Sequence, residues 1–163
     1  MDQVKKFTTN ELIMGAGGIA VFLGTFLAWY KAEYNSGIPG IGSGSTSVNG
    51  FHYFLQGTIP WILAVALVAV LVLKKLVPSV QIPDLPLPWN QVYLIASGVT
   101  AFLILTRIAV KDGTEGFGIT ISRGVGLYLA TLGGIAMVVG AFLKFQAKEE
   151  EDAAGGSTPP TSF

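Results

Sequence analysis

Cysteine is absent from all 163 residues, which excludes disulfides, thiolate metal sites, iron–sulfur ligation and cysteine nucleophiles together. Charge is scarce as well. Only 12% of residues are Asp, Glu, Lys or Arg, against the roughly 25% usual in a soluble domain. The basic and acidic side chains cancel, and neither sign gathers into a patch able to track a phosphate backbone, so nucleic acid is not an expected partner. Histidine occurs once, at His52. No polar or ionisable group stands near the middle of any long apolar run except the hydroxyls of Thr25, Ser97, Thr100 and Thr131, and each of these can bond to a carbonyl of its own helix.

Uncharged apolar sequence is what the chain has in abundance. Four runs, Leu12 to Tyr30, Trp61 to Leu73, Val92 to Thr106 and Gly124 to Leu143, divide it. With their flanks each reaches the roughly 20 helical residues that cross a hydrocarbon core of ~30 Å. The expected fold is therefore all-α, a four-transmembrane-helix bundle with spans at about 12–30, 58–77, 91–110 and 123–144. Residues 12–146 form that membrane domain, 1–11 an N-terminal segment, and 147–163 a disordered tail rich in acid, glycine and proline. The first run is too long for the apolar core of a signal peptide and ends in Trp29-Tyr30-Lys31, an interfacial anchor, so it is expected to be retained.

Four crossings put both termini on one side. Lys5, Lys6, Lys74, Lys75, Lys144 and Lys148 fall on the termini and middle connection, whereas Lys31, Arg107, Lys111 and Arg123 fall on the other two. The excess predicts cytoplasmic termini. At the start of span one, Thr9 or Asn10 is the expected cap, with Glu11 at the positive end of the helix dipole. Pro60 fits the first turn of span two. The Gly/Ser-rich stretch from Gly37 to Ser47 reads as a mobile linker, and its Gly42-Ser43-Gly44 lacks the strand, helix and lysine of a phosphate-binding loop. Pro78 to Trp89 reads as a stiff extended connector. Ile119 to Ser122 reads as an extra turn or a short extended piece before span four.

Two sets of residues stand out as candidates. Small residues recur at fourfold spacing in span one, at Ala16, Ala20, Gly24 and Ala28, with Gly17 and Gly18 beside them; in span four they are Gly126, Ala130 and Gly134, with Gly126, Gly133 and Gly140 seven apart. Such strips allow close helix approach in lipid, either within the chain or against another subunit. Arg107, Lys111 and Arg123 should emerge together at the outer surface, where they form a possible contact for an anion or lipid headgroup, or serve as anchors paired with Asp112 and Glu115. His52, flanked by Phe51 and Tyr53, would need ligands from a partner to hold metal or haem. No catalytic, cofactor or metal site is expected.

Three segments carry a resemblance: Phe26-Leu27-Ala28-Trp29-Tyr30 ending the first span, Ser47-Val48-Asn49-Gly50-Phe51 entering the second, and Ser122-Arg123-Gly124-Val125-Gly126-Leu127-Tyr128-Leu129-Ala130 opening the last. Over residues 12–145 the chain resembles small four-span proteins common in actinobacteria and related bacteria. Those proteins commonly have Pro-Trp-Tyr where Ala28-Trp29-Tyr30 stands here. The resemblance implies a multi-pass bacterial inner-membrane protein and no activity. The expected function is that of a non-enzymatic accessory or scaffolding subunit of a membrane or envelope complex, acting through helix association with a protein partner or with itself. The alternative is a small channel, transporter or lipid-handling protein whose polar path forms on oligomerisation.

Overall fold

The computed structural model describes residues 7–34, 42–77, 86–110 and 119–155. Its helices are α1 (Thr9–Phe26), α2 (Ile59–Leu76), α3 (Trp89–Ala109) and α4 (Val125–Gly155). All four are long and apolar enough to cross a membrane. Round the bundle α1 adjoins α4, α4 adjoins α3, α3 adjoins α2 and α2 adjoins α1, so α1 lies diagonal to α3. The start of α1 and the last membrane turns of α4 share one end, as four crossings require, because Lys144 reaches Glu11 there.

Helix α1 begins one residue earlier than the sequence predicts. Thr8 is the cap: its Oγ1 accepts from the Glu11 amide at 3.4 Å, and Glu11 Oε2 accepts from the Thr8 amide at 3.0 Å. The Thr8-x-x-Glu11 spacing closes a capping box that Thr9 or Asn10 cannot form.

The other end departs further from a purely helical reading. Helix α1 stops at Phe26, Leu27 turns extended, and the chain continues as strand β1 (Ala28–Tyr34). This strand is the centre of a three-stranded antiparallel sheet, flanked by β2 (Gly44–Asn49) and β3 (Ile119–Arg123). The predicted linker is thus a paired strand over Gly44–Asn49, and Ile119 to Ser122 takes the extended option. A register shift between Ala28 and Tyr30 turns Trp29 into the bundle, where its Nε1 donates to the Gly24 carbonyl at 2.9 Å. The indole thereby satisfies a carbonyl left open at the helix end. Tyr30 and Ala32 face the bundle with Val48 and Ile121, while Lys31 and Glu33 point to solvent.

Beyond β2, a short 3₁₀ turn (Gly50–His52) and a π-helical turn (Phe54–Thr58) lead into α2. The wide turn is visible in the bond from the Thr58 amide to the Tyr53 carbonyl at 3.3 Å. Helix α4 runs on to Gly155, so residues 147–155, assigned to a disordered tail, are helical. The proline-rich stretch at 78–85, the connection at 111–118, and residues 35–41, 1–6 and 156–163 lie outside the described residues.

The tightest packing is between α1 and α4. A methyl added to Gly17 would stand 2.6 Å from the Gly133 carbonyl oxygen, and one on Gly133 would stand 2.6 Å from the Gly17 carbonyl oxygen. Gly24 meets Gly126 and Ala130 in the same way, and Gly140 meets Asn10 and Met14. Only residues without a side chain let two backbones touch. Met14, Val21, Ile104, Leu127 and Met137 fill the remaining axis and are fully buried.

Candidate functional site

Ionisable groups are confined to the two ends of the bundle, and each end handles them differently. At the end where α1 begins, Glu11 is buried although it is a carboxylate. Lys75 at the end of α2 reaches its Oε2 at 3.0 Å, and Lys144 of α4 contacts its Oε1. One acid therefore ties three helices together, and its remaining lone pair is held by the capping box. From α3, Tyr93 completes the end: Lys144 Nζ lies 5.4 Å from its ring centroid, and Lys74 Nζ lies 3.8 Å over Trp89 and 5.9 Å from Tyr93. The Tyr93 hydroxyl is buried with no hydrogen-bond partner among the described residues.

At the sheet end a buried arginine packs among aromatic faces. Arg107 is 6% exposed, and its guanidinium lies 3.7 Å over the Tyr53 ring and 5.1 Å from that of Tyr30. Tyr53 is in turn stacked on Trp29, at 6.2 Å between ring centroids. The Tyr30 hydroxyl donates to the Arg107 carbonyl at 2.7 Å and to that of Val110 at 3.3 Å, and Arg123 donates to the Ile108 carbonyl at 2.9 Å. The end of α3 is thus capped by groups from β1 and β3, with the Arg123 charge placed favourably on the helix dipole.

These contacts change the sequence-based picture of the arginines. Arg107, expected at the outer surface, is buried, with its side chain among aromatic rings. Arg123 is half-buried and reaches a helix end. Lys111 lies outside the described residues. His52 is exposed, and among the described residues no three His, Asp or Glu side chains converge as metal ligands.

Between the ends, the buried hydroxyls bond to carbonyls of their own helices. Thr25 bonds to the Val21 carbonyl at 2.8 Å, Ser97 to Tyr93 at 2.7 Å, Thr100 to Ala96 at 2.8 Å and Thr131 to Leu127 at 2.7 Å. Each bond stays within one helix and uses the single proton of its hydroxyl.

The small residues do not all serve one interface. Gly24, Gly126, Ala130, Gly133 and Gly140 line the α1–α4 contact with Gly17, whereas Gly134 faces Ala101 of α3 at 3.2 Å from a would-be methyl. Ala20 borders Gly133, Ala16 is exposed, and Ala28 belongs to β1. The working period on α1 is therefore seven, from Gly17 to Gly24, and not four. Seven residues are two turns, which keeps one seam facing a near-antiparallel neighbour. The signal was available in span four, where Gly126, Gly133 and Gly140 share that spacing.

Comparison of the chain with protein-family models, curated proteins and solved structures found no match.

Proposed function

We infer that this protein is a non-enzymatic accessory or scaffolding subunit of a bacterial inner-membrane or envelope complex, with both termini cytoplasmic and the sheet on the outer side. The observation that supports the reading is how the polar groups of the bundle are bonded. Hydroxyls along the bundle bond within their own helices, and the described charges inside it are engaged at the ends. A chain built this way offers its surfaces, and not a path or a reaction centre, to whatever it serves. Lys74, Lys75 and Lys144 gather at the end that carries both termini, which supports a cytoplasmic placement of that end.

The surface that association would use first is the sheet. Strands β2 and β3 are its edges, and their Ser45, Thr46 and Thr120 are exposed. Edge strands pair readily with added segments. The test is a photo-crosslinking amino acid placed at Thr46, at Thr120, and at lipid-facing Leu132 as a control, combined with ion flux through liposomes holding the purified protein. The sheet positions are expected to give one discrete adduct with a different protein, Leu132 none, and the liposomes no flux. Flux that depends on the protein, or adducts to copies of the same chain alone, would overturn the reading and favour a path formed on oligomerisation.

A further inference from the structure

One flank of the molecule carries two openings, one above the other. Between α1 and α2 lies an apolar trough of about 330 Å³ lined by Gly18, Ile19, Phe22, Val65, Val68 and Ala69 among others. It sits at the middle of both helices, so it opens on the hydrocarbon and not on water. Toward the sheet end, on the same flank, a second cavity of about 560 Å³ is bordered by Phe26, Ser47, Asn49, Phe51 and His52.

Aromatic rings join the two. Phe22, which lines the trough, is 5.2 Å from Phe26, and Phe26 is 5.0 Å from Phe51, both of which border the upper cavity. Trp61 packs on all three, at 5.7, 6.4 and 5.5 Å. Phe22 to Phe26 is one helical turn, a step of about 6 Å along the membrane normal. The result is a continuous strip that is wholly apolar at mid-membrane and becomes polar at the interface.

We propose that this strip, the α1–α2 trough together with the cavity beside Ser47, Asn49 and His52, is a binding site for a bilayer lipid with an uncharged, hydroxyl-bearing headgroup. The order of polarity along the strip is that of a lipid, tail below and head above. At about 30 Å³ per group, the space a small molecule takes in a liquid, the trough holds roughly ten methylene-sized groups. Among the described residues no Lys, Arg, Asp or Glu borders the upper cavity, which offers hydroxyl, amide and imidazole groups for hydrogen bonds and no described charge to match a phosphate. A water-soluble ligand would fill only the upper part and leave the trough unexplained.

Native mass spectrometry tests this on the full chain, reconstituted in nanodiscs of equal parts glycosyl diacylglycerol and phosphatidylglycerol and released into mild detergent. One glycosyl diacylglycerol per monomer is the expected retained lipid. Ala69→Trp, which fills the trough from an exposed position, should lower its retention at least about fivefold. Asn49→Ala with His52→Ala should leave a lipid in the trough but reduce the preference between the two lipids to within about twofold. Phe102→Trp, on a lipid-facing position of α3, should change neither. Should Ala69→Trp fail to give monodisperse protein, Val65→Phe obstructs the same trough and is read in its place. Equal retention by the wild type and the filled variants would overturn the proposal. So would retention of phosphatidylglycerol alone, or a dimer that the filled variants convert to monomer.

Discussion

On its α4 side, helix α1 sets bare glycine backbone against bare glycine backbone, whereas on its α2 side the same residue type is met by side chains. Gly17 and Gly24 touch main-chain atoms of α4, but Gly18 faces a methyl of Val68, and a methyl added to Gly15 would stand 3.7 Å from Leu71 Cδ2. Backbone cannot move aside without moving a helix; a valine methyl moves by leaving its preferred rotamer, at about 1 kcal/mol. The two flanks therefore differ in how much they tolerate, although both are built from glycine. The α1–α4 flank is a fixed seam, and the α1–α2 flank is loose enough to leave an open trough.

The most severe way to break the seam is Gly133→Leu. Its first side-chain carbon would already stand 2.6 Å from the Gly17 carbonyl and 2.7 Å from the Val21 amide nitrogen. A cost above about 3 kcal/mol is expected, beyond ordinary overpacking because the obstacle is backbone. Size-exclusion chromatography should show loss of the monodisperse species. A comparable substitution on the α2 side, Ala69→Trp, should leave that species intact.

Glu11→Ala attacks the one group both flanks share, since its carboxylate holds Lys75 of α2 and Lys144 of α4. Removing one partner of a fully buried pair costs about 3–5 kcal/mol, but both lysines are partly exposed, so about 2 kcal/mol is expected. Denaturant titration in mixed micelles reads it. If the knot is what aligns the two flanks, Glu11→Ala together with Lys144→Ala should cost less than the sum of the single changes.

A smaller effect belongs to the sheet end, which neither flank controls. Tyr30→Phe removes the hydroxyl that donates to the Arg107 carbonyl at 2.7 Å while keeping the ring against Arg107. About 1 kcal/mol is expected. Hydrogen exchange should quicken at the last turn of α3 and stay unchanged along the α1–α4 seam.

How much of this was legible beforehand follows from the physics of each part. Long uncharged runs declare helices in lipid, because nothing else satisfies the backbone there, and all four spans follow from that alone. The sheet is harder to read. Ala28 to Tyr30 continues the apolar run without a break, and Trp-Tyr before Lys31 is equally good as an interfacial anchor; only the partners, Gly44–Asn49 and Ile119–Arg123, make Ala28–Tyr34 a strand. The knot at Glu11 was within reach, since four crossings place Glu11, Lys75 and Lys144 at one end. Reading the acid as a dipole complement hid its role as a ligand for both lysines. Arg107 was placed at the right depth but not the right direction, because the Tyr53 face that draws it inward arrives from a distant segment.

The most direct test of the seam is the unfolding free energy of Gly17→Ala and Gly18→Ala, measured side by side in the same micelles. Helix propensity alone favours each substitution by about 1 kcal/mol, so it cancels between them. The account predicts that Gly18→Ala is near neutral, as Val68 turns its methyl away, and that Gly17→Ala is destabilising by about 2 kcal/mol as α4 is pushed off. Equal effects, or a larger loss at Gly18, would contradict it.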